Sequence, residues 1–600
     1  MGIIISLFKA IFGGLFSSKD GTKKSKYEVE DGVTLFSTAL SPCARRVRIA
    51  LLEKQIPFKL VEIDLFTGEQ FNEEFTFVNP NRKVPAIAFK NVKGIADGFY
   101  SESNVITEIL DSISPGPKLY SSDKRERADI VQWQDYEQSI TDDFGLLVFH
   151  NLLCFVLRMV FNDLDDLEEK TKNFPETFKA RGISAYNSEG KSEDEINQHF
   201  IACYQSLLTL ERGLQGKKYL VGNRFTAADL TVFSRVDMFP LVGMPIIHKH
   251  FPNISRWLEL IRSRKSVVDS EDWCTKFQKF LIIHFPSIFV LIGNCKSGQK
   301  HHRRMDGELV VERAISEAPI STDIKSLDDQ DGDEILITYY PVSSSSFQIT
   351  LLLDILHLDY SKKNGHVLDL IGRAAGSGGI YNIYHKNQPI RGMQAILEYI
   401  CNMGSNPDLY PKSPEDRAKV QIWLGWEQTM FTQELSPLIE RDILSKVLVL
   451  RYEKHLDDLL QLRSNLQYKN KFQNILKCFM IGLPEKSECW NQLTEEYAEC
   501  VPDFEAVEKQ RKGLFQLLHL RLQHLDNTLI HQDYLVGKTL TLADICVFSR
   551  LMFFSAIGMK ISAQKYSHVT TWLLLLQSKT SFSDMVDNLT NQIQALTLGQ

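Results

Sequence analysis

The segment Leu40-Ser41-Pro42-Cys43-Ala44-Arg45-Arg46-Val47 opens a helix as helices favour, with serine as N-cap and proline at the first helical position. A hydroxyl there has two possible tasks. It only caps the helix, or it also donates a hydrogen bond to a thiolate lying in the positive field of the helix start. A thiol with an ordinary pKa of about 8.5 then ionises more readily near neutral pH. Cys43 is itself a thiol close to that helix start and offers a reactive cysteine as the alternative. On a helix it points roughly 200° away from Ser41, which favours a packed core cysteine. A serine site predicts attack of a bound thiolate on an electrophile, and a cysteine site predicts disulfide exchange or dehydroascorbate-type reduction.

The elements that must hold this helix start are short. Val33–Ser37 reads as a buried strand, and residues 42–54 read as an amphipathic helix with Val47, Ala50 and Leu51 on one face and Arg45, Arg46 and Arg48 on others. Phe58–Leu65 and Ala86–Phe89 read as strands, and Ser101–Ile113 as a helix. This order is an α/β layer. From Arg125 onward only long helical runs follow, broken by an exposed loop over residues 184–196.

The pattern then comes round again. Tyr219–Arg235 and Tyr534–Arg550 share eleven of seventeen positions at an offset of 315. Trp257 pairs with Trp572 at the same offset, and Arg127-Ala128 and Trp133–Gln138 pair with Arg417-Ala418 and Trp423–Gln428 at 290. A unit of this length is a duplicated domain pair, not a short-period solenoid. In both copies the Thr-x-x-Asp sequences Thr226–Asp229 and Thr541–Asp544 read as capping boxes, with a role in folding.

The strand Val33–Ser37, the helix from Ser41 to Lys54, Asn79-Pro80, Val84-Pro85 and Glu102-Ser103 together resemble the cytosolic glutathione transferases, phi-like with some omega-like character. The resemblance covers residues 32–270 well and 334–590 more weakly. It implies an α/β thioredoxin-like domain followed by an all-α helical domain, the pair occurring twice in tandem. It also implies roles. Ser41 would activate the sulfur of glutathione, the backbone of Val84 before the cis-proline Pro85 would pair with its cysteinyl part, and Glu102 and Ser103 would hold the γ-glutamyl carboxylate at a helix start. Gln70 and Lys83 would contact the glycyl end. The electrophile, a small molecule, would sit in the first helical domain.

The second copy keeps a serine, Ser343, at the position of Ser41, but has Gly392-Met393 in place of Glu102-Ser103 and Ala374–Gly379 where Val-Pro is expected. It is therefore expected not to hold glutathione. It would serve as a scaffold, a protein contact or an internal stand-in for a dimer partner; pseudo-dimer and homodimer both fit. The expected boundaries are a tail over 1–31, the first α/β domain over 32–114, the first helical domain over 120–275 and a linker over 276–333. The degenerate α/β domain then spans 334–404 and the second helical domain 410–590.

Met1–Ser6 fit the pattern for myristoylation at Gly2, and Leu7, Phe8, Ile11, Phe12, Leu15 and Phe16 form an apolar helical stripe followed by Lys19, Lys23, Lys24 and Lys26. This tail resembles that of Arf-type GTPases and predicts a cytoplasmic protein held peripherally on a membrane surface. The apolar run Phe280–Gly293 is too short to span and reads as a buried segment. A net charge of -7 without a basic stripe argues against nucleic acid. The ten cysteines form no CxxC pair and no zinc-ligand spacing, so neither a metal nor a disulfide framework is expected. Three functions follow in order: a glutathione S-transferase, a non-catalytic scaffold of that fold at a membrane, and a thiol reductase using Cys43.

Overall fold

In the computed structural model the described residues are chiefly 26–38, 41–65, 68–148, 193–270, 307–316, 334–340, 343–365, 381–428, 445–464, 472–556 and 560–598, with short pieces between 157 and 186. Residues 1–25 of the tail expected at 1–31, the apolar run at 280–293 and most of the loop expected at 184–196 lie outside them. The chain divides into two compact units, residues 1–122 with 140–318 and residues 123–139 with 319–600. Residues 123–139, expected with the first helical domain, thus belong to the second unit.

In the first unit β1 (Gly32–Ser37) leads through α1 (Pro42–Glu53) to the parallel strand β2 (Lys59–Glu62). β3 (Ala86–Lys90) and β4 (Gly98–Ser101) follow as an antiparallel pair, giving the strand order β2-β1-β3-β4. β4 was not expected from sequence. It is four residues long and Gly98-Phe99-Tyr100-Ser101 has no apolar alternation to announce it. α2 (Ser103–Ile113) closes the layer; α3 (Lys124–Val148) follows, its residues up to 139 belonging to the second unit, and then α4 (Glu193–Gly213), α5 (Ala227–Val236) and α6 (Pro252–Arg262).

α1 departs from the expected amphipathic pattern. Arg45, Arg46 and Arg48 are all buried, because α1 packs against both α2 and α5 and leaves no polar face. Arg45 donates to Asp237 at 2.7 Å, Arg48 to the Ser37 hydroxyl at 2.9 Å, and Arg46 to α2 as described below. Burial alone would raise the Asp237 carboxyl, but Arg45 and then Arg262 overturn this and hold it below the usual carboxylate value. Such a group contributes stability above its unfolded pKa of about 3.9 and loses it as pH falls through the lower folded-state value. The stability gap between wild type and Asp237→Asn is therefore expected in full at neutral pH. It should shrink on acidification below about pH 4 in urea titrations.

At the end of α1 the Lys54 ammonium is buried against Asp111 of α2 at 2.9 Å, and Asp111 also accepts from the backbone N–H groups of Leu119 and Tyr120. The corresponding positions of the second unit, the C-cap of its first helix and the ninth residue of its second, hold Leu356 and Cys401. One unit joins these helices through charge and the other through apolar packing. Lys54→Leu strands a buried carboxylate and is expected to cost the first unit about 3 kcal/mol, measured by urea unfolding.

α7 (Gly307–Ser316) is a correction to the expected linker. Val311 and Ala314 are fully buried and the helix packs along α4. The neighbouring polar sequence hides two short apolar turns.

The second unit repeats the sheet as β5 (Ile335–Tyr339), β6 (Tyr360–Asn364), β7 (Asn382–His385) and β8 (Gln388–Arg391), in the order β6-β5-β7-β8. α8 (Ser344–Ile355) joins β5 to the parallel β6, and α9 (Met393–Met403) follows β8. α10 (Pro414–Trp426), α11 (Phe504–Thr528), α12 (Leu542–Ala556) and α13 (Ser567–Gln577) are among its later helices. The two capping boxes prove to be centres of matching networks. Asp229 accepts from Thr226 N–H at 3.1 Å, Leu220 N–H at 2.9 Å and the Trp257 indole at 2.9 Å. Asp544 accepts from Thr541 N–H at 2.9 Å, Leu535 N–H at 2.8 Å and the Trp572 indole at 3.1 Å.

Candidate functional site

Sheet register brings the expected residues of the first unit to one end of one layer. Phe36 at the end of β1 pairs with Ala86 at the start of β3, and Ala86 pairs with Ser101 at the end of β4. Ser41 begins the helix that leaves β1, Val84-Pro85 immediately precedes β3, and Glu102-Ser103 immediately follows β4.

Ser41 is the N-cap of α1 with extended backbone, and its Oγ accepts the Ala44 N–H at 3.2 Å. Accepting through oxygen leaves its hydroxyl proton free to donate outward from the helix start. The Val84–Pro85 bond is cis. The loop ahead of it is tied down by Asn79, whose buried amide donates to the Lys83 carbonyl at 2.6 Å and whose Oδ1 accepts from Asn81 N–H at 3.0 Å. Lys83 itself is exposed.

Glu102 adopts φ 67°, a region costly for a residue with a side chain, and serves as the N-cap of α2 without a side-chain bond. Arg46 then holds the start of α2 from below, donating to Ser103 Oγ at 3.0 Å and to Asn104 Oδ1 at 2.6 Å. Neither Arg46 nor Asn104 was singled out from sequence; Arg46 sat in a stretch read as an amphipathic helix and Asn104 in one read simply as a helix. Gln70 lies on a single helical turn, Glu69–Phe71, and its buried Oε1 has no hydrogen-bond partner among the described residues. It is a buried acceptor of the kind a bound ligand satisfies.

Cys43 is directed elsewhere. Its sulfur lies 4.0 Å from Nη2 of Arg235 on α5, on the helical-domain side of α1. Ser41 and Cys43 therefore address different surroundings, but Cys43 is only partly buried and is not the packed core cysteine expected. Among the described residues no three His, Cys, Asp or Glu side chains converge as a metal site, and no helix is long and apolar enough to cross a membrane.

A glutathione S-transferase N-terminal domain matches residues 40–113, and a glutathione S-transferase C-terminal domain matches residues 177–265 and again 490–576. Over these residues the chain is similar to glutathione S-transferase domains. Maleylacetoacetate isomerase of Rattus norvegicus is 41% identical over 96 residues, which are 16% of this chain and 42% of that enzyme. Glutathione S-transferase F7 of Arabidopsis thaliana is 28% identical over 242 residues, 39% of this chain and 97% of that one. The protein URE2 of Kluyveromyces lactis is 23% identical over 255 residues, 41% of this chain and 63% of its own. Among solved structures, a Phanerochaete chrysosporium glutathione transferase with oxidized glutathione has 21% identity and a TM-score of 0.33, covering 42% of this chain and 99% of that one. The Sphingobium β-etherase LigF has 22% identity and a TM-score of 0.34, covering 40% and 99%. The chain thus spans less than half of the isomerase it matches and nearly all of the plant transferase.

The second unit requires one correction. Leu35 pairs with Ile87 in the first sheet and Ile337 with Ile383 in the second. The residue before β7, Tyr381, therefore stands where Pro85 stands before β3. The stretch Ala374–Gly379, expected at that place, lies outside the described residues. The hairpin Asn382–Arg391 is shorter than Ala86–Ser101, so counting along the sequence slips the alignment.

Proposed function

We propose that the first unit binds glutathione and conjugates it through its sulfur to a small electrophile. The convergence of Ser41, Val84-Pro85 and Ser103 on one end of the sheet carries this reading. In it, the α2 start receives the γ-glutamyl carboxylate, the Val84 backbone pairs with the cysteinyl part, and Gln70, with Lys83 beside it, meets the glycyl end. The Ser41 hydroxyl donates to the sulfur and lowers the cost of its ionisation. The thiolate then attacks the electrophilic carbon, a carbon–sulfur bond forms, and the leaving group departs with its electron pair.

The 96-residue match to an isomerase does not displace this. It covers less than half of that enzyme, and a shared thiol-handling end does not specify what the thiol attacks. Calorimetric titration with glutathione and an assay with a chlorinated aromatic test the proposal. Saturable binding with conjugate formation supports it; no binding to the folded protein ends it. If glutathione binds without conjugate formation, and the protein reduces dehydroascorbate in a way that survives Ser41→Ala but is lost in Cys43→Ala, the reductase alternative takes over.

We further propose that the tail anchors this cytoplasmic protein peripherally on membranes through Gly2. Fractionation that is unchanged by Gly2→Ala would end that part.

A further inference from the structure

In the first unit the N-cap of α2, Glu102, makes no side-chain cap hydrogen bond. In the second unit a carboxylate holds the corresponding helix start. At the start of α9 the Asp135 Oδ2 accepts the Ala395 N–H at 3.2 Å, and its carboxylate also meets the Gln394 N–H. Gly392, the N-cap of α9, corresponds to Glu102, and its φ of 89° keeps the same left-handed turn. The glycine is required here by more than its φ. A Cβ at 392 would lie 2.2 Å from Asp135 Oδ2 and 2.8 Å from its Cβ and Cγ.

Around Asp135 the same stretch of chain is fastened at three further points. Arg125 donates to the Pro389 carbonyl at 2.8 Å, the Gln132 amide oxygen accepts from Arg391 N–H at 2.9 Å, and Arg127 pairs with buried Glu398 at 3.2 Å. At the other end of the cradle Ser343 caps α8 as Ser41 caps α1, but its hydroxyl shares a 2.5 Å hydrogen bond with the phenol of Tyr381. Tyr381 occupies the place of the first unit's proline, as the sheet register established.

We propose that the second unit is closed by groups of its own chain that imitate a bound ligand. The Asp135 carboxylate stands on the α9 start where the first unit would receive a ligand carboxylate, and the Tyr381 hydroxyl stands on Ser343 where it would receive a thiol. The comparison rests on the ligand assignment proposed for the first unit, but the occupancy itself does not. Burial, and after it Glu398, raise the Asp135 carboxyl to about 7 against the two N–H donors. Asp135→Asn keeps an acceptor at this point and serves as the control.

The test uses the full chain, followed by scanning calorimetry in buffers with sodium acetate or sodium chloride. Asp135→Ala is expected to lower the unfolding midpoint of the second unit by several degrees. Acetate should restore much of the loss, since it can occupy the emptied helix start, and should leave wild type and Asp135→Asn unmoved. An unchanged midpoint in Asp135→Ala, or equal effects of acetate and chloride on it, overturns the proposal. If Asp135→Ala does not fold, hydrogen exchange on wild type decides instead. The amides of Gln394 and Ala395 should exchange more slowly than those of Ser103 and Asn104 at the α2 start, and equal rates overturn the proposal. For the thiol end, Tyr381→Phe and Ser343→Ala should together cost no more than either alone, whereas additive losses remove Tyr381 from it. None of these readouts involves glutathione, so failure of the first-unit assignment would show separately.

Discussion

Ser41→Ala is expected to lower kcat/KM for conjugation by about a hundredfold, the typical consequence of removing one donor from a developing or resting anion. Glutathione should still bind, because the α2 start, the Val84 backbone and Gln70 are untouched. The substitution also removes the cap on α1, whose Oγ–Ala44 N–H distance is 3.2 Å, so a stability loss of about 1 kcal/mol accompanies it. The two effects separate in a pH profile. Loss of the hydrogen bond raises the pKa of the bound thiol and moves the rate optimum to higher pH, whereas fraying of α1 lowers the rate at every pH. Rates read by stopped flow from mildly acidic to alkaline pH distinguish them.

Asp229→Ala should do the largest structural damage of any single change considered. The carboxylate is completely buried and gathers Thr226 N–H, Leu220 N–H and the Trp257 indole. Removing it leaves these three buried donors and the Thr226 hydroxyl without their acceptor, a loss of about 4 kcal/mol or more. Burial raises this carboxyl against the donors that lower it. Asp229→Asn should nevertheless recover only part of the loss, since one of its two terminal atoms becomes a donor facing donors. Asp544→Ala should reproduce the effect in the second unit. In scanning calorimetry each variant should shift the transition of its own unit; equal shifts of both from either variant would contradict this.

Those two networks were the part of the fold most legible in the sequence. Thr-x-x-Asp ahead of an apolar run has one local meaning, and its repetition with Trp257 and Trp572 at a common offset marked the duplication. The helix start at Ser41 was legible for the same reason, since cap, proline and first turn are neighbours in sequence. What could not be read was decided by residues far apart. Arg46 finds Ser103 and Asn104 across more than fifty positions, and nothing local distinguishes it from a solvated arginine. Tyr381 takes the place of a proline only once the sheet register is known, because the hairpins of the two units differ in length. Asp135 lies 260 positions from Ala395 in sequence. The site residues contributed by loops next to glycine and proline were visible; those contributed by long-range packing were not.

The membership of residues 123–139 in the second unit bears on how the gene can be divided. Ala128 and Val131 are part of the apolar core of that unit, and Arg127 neutralises its buried Glu398. A polypeptide beginning at Pro319 would carry every strand of β5–β8, yet lack a strip of its own interior. The boundary that duplication draws through the sequence is not the boundary along which this protein comes apart.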